Sequence, residues 1–237
     1  MREVQFLCLA VSRRNGGNCI AGIDIDSGKW IRPVHATTHE ALGDCEIVVR
    51  DGNTQKLRVM ALLDILQLNI DKYVGHNCQP ENWTLAPASH GGEYTVLRRF
   101  DGPRDAEKLA AYLDQHGPLL HSHSDKIQEA EVKARLLTHS LVLIRPEELH
   151  WRVSPKSNYP AELQVRADFL FDRERYSLVL TDPVWEARCR RLGQGRYTHS
   201  TVAGDARGEV LLTISLAGAP LYGFHYKLVA GVVCLAA

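Results

Sequence analysis

Two tight turns near the N-terminus set the strongest limit on the fold. Residues 6–11 form a β-rich apolar run, and Asn15-Gly16-Gly17-Asn18 follows Ser12-Arg13-Arg14. Asn-Gly and Gly-Gly supply the positive φ that short hairpin turns demand. A second run, 19–25, ends at Asp26-Ser27-Gly28, and a third, 29–34, follows at once. Connections this short join antiparallel neighbours, because a parallel pair needs a crossover of about a dozen residues. The chain therefore begins as a β-meander.

The rest of the chain is read on the same periodicities. Strands are expected at 46–50 and, after the turn at 51–53, within 57–70, where the run 60–70 favours strand over its second half and leaves its first half open to helix. Residues 71–92 read as irregular. Further strands are expected at 140–145, 150–154, 163–171, 175–180, 209–216 and 225–233. Within 163–169 the alternation puts Leu163, Val165, Ala167 and Phe169 on one face, with a hairpin turn at 172–174. Helical spacing holds only in the middle. Leu109, Tyr112 and Leu113 mark a helix over 103–115, with Asp105 and Glu107 in its first turn. A second helical piece is expected at 125–137, with Ser124 as its N-cap. Few helices alternate with strands, so the fold class is mainly β (a β-rich α+β chain): two small barrels or sandwiches joined by a short helical connector. The expected division is 1–100, a connector at 101–138, and 139–237.

Charge narrows the function. Lys plus Arg and Asp plus Glu number 28 each, so no global basic field holds a nucleic acid; any such site must be a local patch. With 45% hydrophobic and 24% charged residues, the chain is a folded one and not a disordered one. Its six cysteines form no C-x-x-C pair, which argues against a zinc ribbon and for reduced thiols. The apolar run at 6–11 is too short for a signal peptide, and 228–237 is about half a membrane span. The expectation is a cytoplasmic protein without a membrane partner.

No phosphate-binding P-loop, dinucleotide fingerprint or nucleophile elbow is present, so the reading leans away from an enzyme, with no catalytic residue and no cofactor assigned. Asp24 and Asp26 share a strand face and could hold magnesium for a nuclease, but Asp-x-Asp-Ser-Gly is also a hairpin cap, and the cap is the favoured reading. The pairs His35/His39, His76/Cys78 and His121/His123 lack a metal-site signature, and no metal is assigned. The basic and aromatic segments say more. Arg188, Arg190 and Arg191 lie between Trp185 and Tyr197, beside Gly193 and Gly195. Guanidinium groups pair with phosphate, and aromatic rings stack on bases. Arg13-Arg14 and Arg98-Arg99 are smaller patches. Trp30 and Arg32 share a strand face, as do His225 and Lys227. The candidate ligand-binding set is Trp30, Arg32, Arg188, Arg190, Arg191 and Lys227.

Asn15-Gly-Gly-Asn-Cys-Ile-Ala-Gly-Ile-Asp24 with Gly28-Lys-Trp-Ile-Arg-Pro-Val34 resembles bacterial proteins described as dual OB-containing domains. Leu63-Asp64, Gln79-Pro-Glu-Asn-Trp83, Asp125-Lys-Ile127, Thr181-Asp-Pro183 with Trp185, Ser215-Leu216 and Gly223-Phe-His-Tyr-Lys-Leu-Val-Ala230 extend the resemblance over nearly the whole chain. It implies two OB-like barrels, a fold whose strand face and loops often bind oligonucleotides. It further implies a non-catalytic component of a bacterial defence system that recognises nucleic acid or a nucleotide-like ligand. The alternatives are a metal-dependent nuclease, or a module docking onto a separate effector protein.

Overall fold

The computed structural model describes residues 1–14, 16–87, 94–100, 102–134, 137–204 and 208–236. The first half holds β1 (Arg2–Arg14), β2 (Gly17–Asp24), β3 (Trp30–Val34), β4 (Val48–Asp51), β5 (Leu57–Val59), β6 (Asp64–Tyr73), β7 (Asn82–Leu85) and β8 (Tyr94–Arg99). The opening meander is β1–β2–β3, as its turns require. β1 pairs with β2 and also with β6, and a bulge between Cys8 and Ala10 lets it bend from one neighbour to the other. The order β1-β2-β3-β7-β6 thus closes back on β1 as a five-stranded barrel, with β3 and β7 parallel. β8, β4 and β5 extend one edge beyond β6.

The middle of the chain carries α1 (Gly102–Ala110), β9 (Leu113–Asp114), β10 (Lys126–Gln128) and α2 (Glu129–Ala134). The second barrel follows: β11 (Leu141–Ile144), β12 (Glu147–Lys156), β13 (Tyr159–Phe171), β14 (Glu174–Leu180), α3 (Pro183–Arg191), β15 (Gly195–Thr198), α4 (His199–Ala203), β16 (Gly208–Leu216) and β17 (Phe224–Ala236). Only Arg145 and Pro146 separate β11 from β12, which act as one bent strand. β12 pairs with β13, β13 with β14, β14 parallel with β17, β17 with β16, and β16 with β11. This is the same ring order as in the first half. The two-barrel, mainly β architecture is the one expected from the sequence.

Some elements differ from expectation. Residues 126–128 pair with 224–226 as a strand, so the second helical piece is only 129–134. The β10 ladder to β17 outcompetes the helix because it satisfies backbone groups against a buried strand. β7 falls in the segment read as irregular; four residues beside Pro80 and Pro87 carry little periodicity. Helix α3 lies where no element was expected. Its start was legible: Asp182 caps Val184 and Trp185 with its carboxylate (2.9 and 3.1 Å), and Pro183 opens the first turn.

Each barrel has its own core, around Phe6, Leu66 and Ile70 in the first and Trp151, Phe169 and Leu178 in the second. A third cluster joins them: Leu7, Leu9, Ile23 and Ile65 pack on Leu143, Leu211, Val233 and Leu235. Alternation along β1 explains this, because Phe6 and Cys8 face inward while Leu7 and Leu9 face the second barrel. The backbones meet at Gly231, where a Cβ would lie 2.3 Å from the Leu9 carbonyl oxygen. Thr213 Oγ1 donates to the same carbonyl at 2.6 Å.

Candidate functional site

In a barrel of this kind the loop between strands one and two and the loop between strands four and five frame one outer face. In the second barrel these loops are 157–158, between β12 and β13, and 217–223, between β16 and β17. A cleft of about 550 Å³ opens between them. Lys156, Ser157, Asn158 and Tyr159 form one rim, Leu221 and Tyr222 the other, and Gln164, Arg166, Val179 and Tyr226 the floor. The first barrel closes the far side with Ser12, Arg13, Cys19, Arg32 and Gln79. Among the described residues its lining holds four cationic side chains, Arg13, Arg32, Lys156 and Arg166, and no carboxylate. In a chain of zero formal charge this gathers cations on one face, with the acidic partners Asp44, Glu162 and Asp125 outside the lining.

The floor follows from strand alternation. Val165, Ala167 and Phe169 are buried on the inner face of β13, as expected, so Gln164, Arg166 and Asp168 stand outside. Arg166 is fixed there: Nε donates to Ser177 Oγ at 3.0 Å and Nη2 to Asp125 Oδ2 at 2.9 Å. Ser177 donates to Asp168 at 2.6 Å, and Arg152 grips both oxygens of that carboxylate at 3.1 and 3.2 Å. Burial works to raise the Asp168 carboxyl, but the Arg152 and Ser177 hydrogen bonds outweigh it and hold the pKa below the usual value. Arg166 is therefore a preorganised cation. Arg13 and Lys156 are looser. Arg13 is 3.7 Å from Asp44 with both side chains solvated, and Lys156 pairs with the exposed Glu162 at 2.6 Å. Such surface pairs are worth little and exchange readily for a phosphate. Tyr159 and Tyr222, on opposite rims, are 64% and 78% exposed, large apolar surfaces open to a stacking partner.

The first barrel repeats the arrangement. Its two framing loops, at Gly16 and at 74–81, and β2–β3 border a second cleft of about 520 Å³. The framing residues include Gly16, Gly17, His76 and Gln79.

The residues singled out from the sequence fall into three places. Arg32 lines both clefts but is only 6% exposed; its Nη2 donates to Ser140 Oγ at 2.9 Å and Ser215 Oγ at 3.3 Å. Trp30 is half-buried and packs between the barrels, against Ala10, Ala21, Leu141 and Ala230. Arg188, Arg190 and Arg191 lie together on α3, outside both cleft linings. Arg188 sits 5.0 Å over the Trp185 ring. Arg190 bonds Glu186 at 2.7 Å and the Leu163 carbonyl at 2.7 Å, and Arg191 bonds the Ala187 carbonyl at 3.3 Å. Lys227 is 1% exposed, with Nζ donating to the carbonyls of Ser122 and Ser124. Arg13, in one of the smaller patches, is at the cleft; Lys156, Tyr159, Arg166 and Tyr222 were not singled out. Lys-Ser-Asn-Tyr between two strand runs was the signal for Lys156 and Tyr159, since it marks a loop with a cation and a ring.

Burial lowers the Lys227 pKa to about 8, while Asp125 and Glu131 pull it upward. The folded pKa lies below the unfolded value, so the folded state loses its proton first as pH rises. Stability then increases from about pH 8 to the normal lysine value of 10.5, by about 1 kcal/mol per unit. Thiols raised by burial (Cys8, Cys189 and Cys234) add an opposing slope to both proteins, so the lysine is read as a difference: in urea unfolding at pH 7.5, 8.5 and 9.5 the wild type should gain stability relative to Lys227→Met by this slope. Equal slopes in both proteins would refute the assignment.

Asp24 is buried, pairs with Arg2 and accepts from Ser27 Oγ at 2.6 Å, so it caps the hairpin. Among the described residues no group of three or more His, Cys, Asp or Glu side chains could hold a metal ion. All six cysteines are free thiols. Among the described residues no helix is long and apolar enough to cross a membrane.

The comparisons agree with this geometry. The model of the dual OB-containing domain family matches residues 4–232. No curated protein matches the chain. The chain belongs to the dual OB-containing domain family.

Proposed function

We propose that this dual OB-domain protein binds single-stranded nucleic acid in the second-barrel cleft and does not turn it over. One observation carries the reading: among the described residues, the face framed by the two OB loops gathers four cations, three tyrosines and no carboxylate, although the chain is neutral overall. Cations at this density attract phosphates, and exposed rings take unstacked bases, which a duplex does not offer. Arg166 is the fixed contact; Arg13 and Lys156 are the adaptable ones. Arg190 and Arg191 form a separate patch on α3, a second place where a strand could be held. Service in a bacterial defence system, with a separate effector protein as partner, is the further role that family resemblance supports.

The test is a titration of fluorescein-labelled single-stranded DNA and RNA, and of the matching duplexes, from 50 to 300 mM salt, with and without magnesium. Single-strand binding that weakens linearly in log–log form, with the oligonucleotide intact, is the expected result. Magnesium-dependent cleavage would replace this reading with the nuclease. Absence of binding at the lowest salt would leave the interaction module.

A further inference from the structure

We infer that the two clefts are one groove, and that a single strand crosses both barrels, its stretch in the second held chiefly through phosphates and its stretch in the first chiefly through bases. This deepens the proposed function and rests on it. Three residues, Cys19, Arg32 and Gln79, line both clefts, so the two spaces meet along a shared wall. The loops that frame them are bonded to each other. Cys78 Sγ donates to the Gly218 carbonyl at 3.2 Å, and Gln79 Nε2 donates to the Leu216 carbonyl at 3.2 Å. The Arg13 backbone N–H adds a bond to the Thr181 carbonyl at 3.3 Å. The groove is thus set in the folded state and needs no domain closure.

The two ends differ in chemistry. The second-barrel end carries Arg13, Arg32, Lys156 and Arg166 and, among the described residues, no carboxylate. Among the described residues the first-barrel end holds one cation, the shared Arg32, and one carboxylate, Glu40, and is otherwise built of glycines, small apolar side chains, Gln79 and the imidazoles of His39 and His76. Burial, aided by Arg32 and His225, holds the His76 pKa below its ordinary value, so the ring is neutral near pH 7. A neutral imidazole beside glycine backbone suits the edge or face of a base better than a phosphate.

A minimal OB site takes about 4 nucleotides, so a strand filling both clefts needs about 8. The experiment measures dissociation constants for labelled oligothymidylates of 4, 8 and 12 nucleotides. His39 is exposed with φ of 58°, a conformation aspartate tolerates, so His39→Asp adds a charge to the first cleft without strain. Ala219→Asp adds one from the second-barrel side of the same cleft. For the wild type, affinity should rise at least about tenfold from 4 to 8 nucleotides, beyond the statistical gain of overlapping sites, and level off by 12. Both variants should keep 4-nucleotide affinity within about twofold and lose the gain. A 4-mer that binds as well as the 8-mer, or a gain untouched in both variants, would overturn the single groove while leaving the proposed function standing. No binding at any length would remove both.

Discussion

Replacing Arg13 and Lys156 together by alanine should weaken single-strand binding about 100-fold at low salt. Each side chain reaches the cleft from an exposed position and holds only a solvated carboxylate, Asp44 or Glu162. Losing a charge-assisted phosphate contact costs about 1.5 kcal/mol or more, a factor of about ten for each residue. The salt dependence should flatten as well, by about 0.7 in log–log slope per lost contact on a single strand. The companion variant is Arg190→Ala with Arg191→Ala, on α3. Those side chains bond Glu186 and backbone carbonyls within their own barrel and stand outside both cleft linings. If the cleft is the site, this pair should move affinity less than threefold. The reverse pattern, a flat response in the first variant and a large one in the second, would transfer the binding surface to α3. Because Arg13, Arg190 and Arg191 are exposed and Lys156 is half-exposed and bonded to a solvated carboxylate, the urea midpoint of both variants should stay close to that of the wild type.

The architecture was more legible than the site, for a physical reason. Turn chemistry and strand alternation act over a few residues. Asn15-Gly16-Gly17 and the run 163–169 therefore announced a hairpin and an inward face directly. A site is assembled across the fold. Arg13 comes from the first hairpin, Lys156 and Tyr159 from a loop about 140 residues later, and Tyr222 from another. No sequence spacing brings them together; only the closed ring order of each barrel does. Local density alone does not place a charge at a cleft, since a helix can present such residues to solvent and to its own acids, as α3 does with Arg190 and Glu186. β7 stayed hidden because a four-residue strand between prolines has no periodicity to read.

Arg32 is the case where one residue serves the fold and borders the site. It lies on β3 of the first barrel, and its guanidinium reaches Ser140 at 2.9 Å and Ser215 at 3.3 Å, at the foot of the second. Ser140 Oγ accepts from Arg32 and donates its hydroxyl hydrogen bond to Glu81 Oε2 at 2.7 Å, while its backbone N–H donates to the other oxygen. The result is a buried relay of cation, hydroxyl and carboxylate across the seam, with Arg32, Ser140, Glu81 and Ser215 all below a tenth exposed. Removing one charge from such an arrangement leaves the other uncompensated, at a cost of about 3–5 kcal/mol. Arg32→Met should therefore lower stability by that amount in urea unfolding, and the melting temperature by roughly 10 °C for a chain this size. Adding Glu81→Gln should restore part of the loss, because the stranded carboxylate is then gone. A residue that served only as a ligand contact would behave otherwise: Arg32→Met would lower affinity and leave the urea midpoint where it was. Both readouts falling together is the expected result, since the bond that locks the two barrels also forms the wall shared by the two clefts.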